Sequence, residues 1–325
     1  MEYPNLKKMK KYDVGVIGGG IAGMATAMRL QAAGKSTLIL EAHGQPGGCA
    51  GYYSKKGFNF DVGATTLVEF EPDGIAGEFF ASIGLEMPVS EPLDYRLWLP
   101  DKSIHMYQDK RNWHHERLEK LGNTTAHRAF WAFMDKLADT FWRASRAGIK
   151  LPFQNLRDCL NAISAIGISN LHLGRFFNYT VMDTLKKYGL ENDADLKAVL
   201  GMLVEDTVNS TLDEAPLINA ALGITIRGAG LRRANGGMKG FWAHLIEQYK
   251  GLGGKLLVGH KVEQFEQAGD SYLIITRKDS FEVKQVVSAI PAQVTMAIAP
   301  PAISSRWLLM LIGIKNVTKV PLCCF

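Results

Sequence analysis

Four cysteines occur in the 325 residues, and Cys49, Cys159, Cys323 and Cys324 form no CxxC pair and no regular framework. Their scarcity excludes a disulfide-stapled scaffold and makes reduced thiols in a cytoplasmic compartment the expectation. The eight histidines are scattered; even the neighbours His114 and His115 lack the spacing that sets two ligands on one helix face, so no metal site is expected. No uninterrupted apolar run reaches the roughly 18 residues of a spanning helix. The N-terminal MEYPNLKKMKKYD is basic but runs into a strand rather than a cleavable apolar region. Repeats and low-complexity tracts are absent. With 37 basic against 32 acidic residues, the net charge of +5 is too small an excess to argue for a nucleic-acid partner. There is no Ser-His-Asp and no paired-carboxylate constellation, so no catalytic side chain is assigned.

What is present concentrates in residues 13–63, DVGVIGGGIAGMATAMRLQAAGKSTLILEAHGQPGGCAGYYSKKGFNFDVG. Tyr12 to Ile17 is a short apolar run that fits a buried parallel strand. Gly18, Gly20 and Gly23 follow at the dinucleotide spacing: the first for the tight turn, the second for close approach to a pyrophosphate, the third for packing of the new helix on the strand. That helix starts without a polar cap, so its N–H groups and positive dipole end face the turn. Gly34 ends it, Ser36 to Leu40 form a second strand, and Glu41 closes that strand where a carboxylate can accept both ribose hydroxyls. Gly18, Gly19, Gly20, Ala22 and Gly23 are the expected pyrophosphate cradle. The triplet alone does not separate NAD from FAD, since both carry the same ADP half.

The remainder divides by pattern. Residues 69–233 read as mostly helical, and from Gly236 the chain returns to α/β, with a helix at 241–250 and strands at 255–258, 272–277 and 281–290. A discontinuous α/β fold follows: a Rossmann-like domain from residues 1–68 and 236–300, and a mostly helical second domain from 69–235 and 301–325. At 325 residues and 47% hydrophobic content, two such domains can each bury a core. In the helix expected at 127–147, Phe130, Phe133, Met134, Leu137 and Phe141 share one face, extended by Trp131, Ala138 and Trp142. Arg128, Asp135, Lys136, Asp139, Arg143 and Arg146 fall opposite. Two readings stay open: an amphipathic helix packed on its own domain, or a membrane-facing helix through which an insoluble substrate enters. The segments 161–173 and 307–314 could add apolar surface to the second reading, but are expected in the core.

The Gly47–Gly48 pair after Glu41 resembles the extended ADP-binding signature of glutathione-reductase-like and amine-oxidase-like flavoproteins. GGCAGYYSKKGFNFDVGATTL narrows the resemblance to FAD-dependent phytoene desaturases, carotenoid cis–trans isomerases and retinol saturases, which act on long polyene hydrocarbons. ANGGMKGFWAHLIEQYKGLGGKLLVGHKVEQF, residues 234–265, and VVSAIPA, residues 286–292, are similar to later blocks of the same family. The resemblance implies FAD as cofactor, a hydrophobic polyene as substrate and peripheral membrane contact from the cytoplasmic side. It brings Gly48 and Cys49 to the pyrophosphate, Ala64 and Thr65 near the isoalloxazine, Gly237 and Met238 to the helix start beside the cofactor, and the Val262 backbone against adenine. Many members carry Arg where Cys49 stands, a substitution shared with the isomerase-like branch. Asp61 reads as a turn-stabilising carboxylate rather than a base.

Members of this family are longer and carry near their C-terminus a glycine-containing motif that contacts the flavin; it is not found before the final VPLCCF. The resemblance therefore implies a truncated form, or a second chain that supplies the missing part. The alternatives to a polyene-acting enzyme are a flavin amine oxidase acting on a polar amine and an inactive fragment or partner subunit.

Overall fold

The structure, a computed structural model, describes residues 10–149, 153, 155–225 and 230–300. The segment 307–314, the terminal VPLCCF with Cys323 and Cys324, and most of the basic N-terminal stretch lie outside the described residues.

In chain order, β1 (Lys11–Ile17), α1 (Ile21–Ala32) and β2 (Thr37–Leu40) are followed by a hairpin of β3 (Ala50–Lys55) and β4 (Phe58–Gly63), then by α2 (Ile75–Ser82). Next come β5 (Ser90–Pro92), β6 (Tyr95–Trp98) and β7 (Ser103–Met106). A helical run follows: α3 (Lys110–Leu121), α4 (Thr125–Arg146), α5 (Leu156–Ile166), a 3-10 helix (Ile168–Asn178), α6 (Val181–Tyr188), α7 (Ala194–Val208) and α8 (Leu217–Thr225). The chain returns to α/β with β8 (Arg232–Ala234), α9 (Gly237–Gly251), β9 (Lys255–Leu257), β10 (Val262–Ala268), β11 (Ser271–Thr276), β12 (Ser280–Ser288) and α10 (Ala292–Ile298). The described residues fall into two compact units, one within Met1–Glu91 and Arg232–Phe325, the other within Pro92–Leu231. Residues 69–91, read from sequence with the second domain, thus belong to the first unit, because α2 packs Phe80 into its core.

The first unit is built on a six-stranded sheet in the order β10-β11-β12-β1-β2-β9. β12, β1, β2 and β9 run parallel, while β10, β11 and β12 form an antiparallel meander. Side chains of β1 alternate as the pleat requires: Val14 and Val16 join Met24, Met28 and Trp242 on one face, and Ile17 joins Ile274 and Val283 on the other. All four residues of β2 are buried, the expected consequence of a central parallel strand covered on both faces. β10 and α10 were not anticipated as separate elements, since EQFEQA alternates weakly and the short α10 has no side-chain cap.

The second unit buries Phe130, Trp131, Met134 and Leu137 of α4 completely, in one core with α6, α7 and α8. Of the two readings of that helix, the structure therefore shows the amphipathic helix packed on its own unit. Arg117 is buried between Trp113 and Trp131 and pairs with Asp135, which explains an acid on that helix flank. The β6–β7 hairpin within this unit escaped the sequence reading because its strands are only four residues long. Residues 161–173 are not core throughout: Ala162 and Leu173 are buried, whereas Ile163, Ile168 and Leu171 are exposed. The physical reason is that α5 and the 3-10 helix use only one face to hold the unit.

α9 is tied to the sheet by Tyr249, fully buried, whose hydroxyl lies 2.7 Å from that of Thr37 on β2. Burial pushes the Tyr249 phenol up to about 12, against hydrogen bonds with the Thr37 side chain and the Lys255 backbone that pull it down. A raised acid of this kind leaves its stabilisation intact below the unfolded value near 10.0, and loses it as pH rises from there towards about 12. Tyr249→Phe is expected to remove that part of the alkaline destabilisation. Urea titrations of parent and variant across the same pH range check this, the stability gap between them narrowing as pH rises.

Candidate dinucleotide site

The turn after β1 is shaped by backbone crowding. Gly18 adopts φ +105°, a region open to glycine, and donates its N–H to the Leu40 carbonyl at 2.9 Å. A Cβ on Gly23 would stand 2.0 Å from the Gly18 carbonyl oxygen, a backbone atom that cannot step aside. Glycine at this position thus lets α1 begin directly over the end of β1.

The N-cap of α1 is Gly20, with no side-chain cap and no acidic residue in the first turn. Its N-terminal N–H groups and positive dipole end are therefore left to a ligand or to water. Opposite stands the loop that carries Gly48: a Cβ on Gly20 would meet only the Gly48 Cα at 3.8 Å, and one on Gly48 only the Gly20 Cα at 3.3 Å. Gly47 holds this loop in place, donating its N–H to the Gly19 carbonyl at 3.0 Å. An uncapped helix terminus facing a side-chain-free loop fits an anionic diphosphate. Of the expected cradle, Gly18, Gly19, Gly20, Ala22, Gly23 and Gly48 come together here, and Cys49 is exposed beside them.

Glu41 sits at the end of β2 with 7% of its surface exposed. Its Oε2 accepts the Gly19 N–H at 2.7 Å, and its Oε1 accepts the backbone N–H of His43 at 2.8 Å. The carboxylate is thus oriented by the protein itself, with acceptor lone pairs remaining for a ribose. Two neighbours were not legible in the sequence: His43, whose Nδ1 lies 3.0 Å from Glu41 Oε1, and the Gly259–His260 pair. Their backbone N–H groups bond the carbonyls of His43 and Glu41 at 2.7 and 2.8 Å. These contacts join the loop after β9 to the end of β2, and only the proximity of His43 to Glu41 in the chain hinted at them. Val262 lies just beyond, at the start of β10, with its side chain buried and the ladder register shifting between it and Gln264.

A second cluster surrounds Asp61 on β4. Asp61 Oδ1 accepts the Met238 N–H at 3.0 Å at the start of α9, and Oδ2 makes an ion pair with Arg233 at 2.7 Å. Arg233 also donates to the Thr65 carbonyl at 3.0 Å. Asp61 therefore serves as a distant cap for α9, consistent with a structural carboxylate. Gly237 lies against it, and Met238 is buried. Ala64 is exposed and hydrogen-bonded through its N–H to the Cys49 carbonyl at 3.0 Å, and Thr65 is likewise exposed. The role of Arg233 was not apparent in the sequence. No group of three or more metal-ligating side chains is assembled among the described residues.

A model of the NAD(P)-binding Rossmann-like domain matches residues 16–83, the segment that holds this cradle. The chain is 27% identical over 243 residues to the chloroplastic prolycopene isomerase of Daucus carota, covering 68% of this chain and 36% of that protein. It is 27% identical over 271 residues to the lycopene-forming phytoene desaturase of Pantoea ananas, covering 81% of this chain and 52% of the relative. Over 90 residues it is 39% identical to the human all-trans-retinol 13,14-reductase, covering 26% of this chain and 15% of that protein. The matched regions thus span about half or less of the length of these curated relatives. Among solved structures, an oxidoreductase from Methanosarcina mazei superposes with TM-score 0.59 at 18% identity, over 95% of this chain and 65% of that one. Putrescine oxidase superposes with TM-score 0.60 at 16% identity, over 90% of this chain and 61% of that one. The structural likeness establishes the fold. The sequence matches bear out the resemblance to carotenoid isomerases, phytoene desaturases and retinol reductase.

Two substitutions probe the geometry. Gly23→Ala is expected to lower stability by about 1–3 kcal/mol through the clash with the Gly18 carbonyl. Asp61→Ala is expected to cost about 0.5–2 kcal/mol as the α9 cap is lost. Asp61→Asn keeps an acceptor and should lose less. Denaturant midpoints rank the three, and equal values for the two Asp61 variants would contradict a capping role.

Proposed function

We propose that this chain carries the dinucleotide-binding part of an FAD-dependent oxidoreductase acting on long polyene isoprenoids by desaturation, isomerisation or saturation. The observation that carries the reading is the sequence similarity over most of the chain to a prolycopene isomerase and a phytoene desaturase. The amine-oxidase alternative has only structural likenesses at 16–18% identity behind it, which speak to fold and not to substrate. FAD rather than NAD is favoured by the Gly47–Gly48 extension beyond Glu41.

In this reading the α1 N-terminus and the Gly48 loop hold the pyrophosphate, and Glu41, fixed by the Gly19 N–H, accepts the adenosine ribose hydroxyls. The Val262 backbone approaches adenine. The Asp61–Arg233 pair fixes the start of α9, so that Gly237 and Met238 keep one position beside the cofactor. Bound FAD supplies a two-electron acceptor or donor for the hydrocarbon, and the protein contributes binding and orientation. Such chemistry needs no strong side-chain acid or base. The helical unit is assigned to the hydrocarbon and to a peripheral contact with the membrane in which it dissolves. No helix among the described residues is long and apolar enough to cross that membrane.

Incubating the chain and FAD with polyenes in liposomes tests the assignment. A product lighter or heavier by one pair of hydrogens, or an isomer of unchanged mass, is the expected result. Hydrogen peroxide release on addition of a polar amine, with every polyene untouched, would overturn it in favour of an amine oxidase.

A further inference from the structure

The face of α4 that the sequence offered to a membrane is buried, and a different surface of the same unit takes its place. α5 starts at Asn155, whose side chain accepts the Asp158 N–H at 2.9 Å. Asp158 and Ala162, one turn apart, face inward, and the opposite row of Leu156, Leu160 and Ile163 stands 75%, 57% and 37% exposed. This is an i, i+4, i+7 stripe, the spacing of an amphipathic helix, presented outward instead of inward. The 3-10 helix that packs on α5 repeats the arrangement. Leu173 and Phe176 are buried, while Ile168, Leu171 and Phe177 are exposed, Ile168 by 81%.

Six large apolar side chains exposed on two elements in contact mark an interaction site rather than singly scattered surface residues. The charges around it select the partner. Between 155 and 179 the exposed ionisable side chains are Arg157, His172, Arg175 and Tyr179; the segment's single acid, Asp158, is buried. A second copy docked face to face would set this basic patch, which exposes no acid, against an identical basic patch, since a two-fold interface pairs a surface with itself. An anionic lipid surface instead offers headgroups to the arginines, hydrocarbon to the leucines and isoleucines, and an interfacial level for Tyr179.

We propose that residues 155–179 are the surface by which this chain lies on an anionic bilayer, with Leu156, Leu160, Ile163, Ile168, Leu171 and Phe177 entering the interface. This deepens the polyene reading and rests on it for its purpose, because such a substrate is held in lipid.

The test is flotation of the full chain with phosphatidylcholine vesicles with and without phosphatidylserine, with flavin retention recorded on the same preparations. The parent is expected to float with the anionic vesicles and to be released by high salt. Leu156→Asp with Leu160→Asp should abolish flotation while circular dichroism and flavin retention stay as in the parent. Arg157→Gln with Arg175→Gln should weaken binding to the anionic vesicles by about fivefold for each arginine. A parent that does not float, or variants that float equally well, would overturn the proposal. So would a parent dimer that Leu156→Asp with Leu160→Asp converts to monomer, which would show a second copy on this face. Flotation without flavin retention would uphold the surface and count against the cofactor reading; flavin retention without flotation would do the reverse.

Discussion

The contact of Gly23 with the Gly18 carbonyl is the constraint on which the rest of the first unit depends. It lets α1 start immediately above the end of β1, with no room for a side chain and none supplied as a cap. The helix terminus is consequently open at the carboxyl edge of a parallel sheet, where α/β folds place ligands. Everything around it holds that opening. Gly47 bonds the Gly19 carbonyl, Glu41 takes the Gly19 N–H, and the Gly259–His260 turn closes on the backbone of His43 and Glu41. Glu41 and the Gly47 loop are fixed to the glycine turn, and the Gly259–His260 turn to the backbone of His43 and Glu41, by hydrogen bonds of 2.7–3.0 Å.

This part of the molecule was legible in the sequence for a physical reason. A tight turn, a close backbone approach and an uncapped helix each demand glycine at a fixed offset, so the requirement is written locally. The strands β1 and β2 and the helix α1 were readable for the same reason, their apolar runs bounded by Gly18 and Gly34. The Asp61–Met238 cap and the Arg233 ion pair were not, since they join residues more than 170 positions apart. No local pattern announces which carboxylate will find which helix start.

The two apolar helices of the second unit show the limit from another side. The periodicity of α4 and of α5 is alike in kind: each has a stripe of large apolar residues opposed by polar ones. In α4 the stripe is the core; in α5 it is surface. Hydrophobic periodicity gives a helix and a face, and only tertiary packing decides what the face meets. The expectation that 161–173 lies in the core failed on this point, because the residues that anchor the segment, Ala162 and Leu173, are close neighbours of those left outside.

In the proposed reading the Gly18–Gly23 turn and the Gly48 loop form a working cradle for FAD. Gly20 has an ordinary φ of −77°, so a side chain there strains no backbone and projects towards the Gly48 loop. The most direct measurement is the visible absorbance retained after reconstitution with FAD and desalting, for the parent and for Gly20→Val. Flavin peaks are expected in the parent and their loss in a variant that remains folded by circular dichroism. A folded parent that emerges colourless, or a variant that keeps its flavin as well as the parent does, would contradict it.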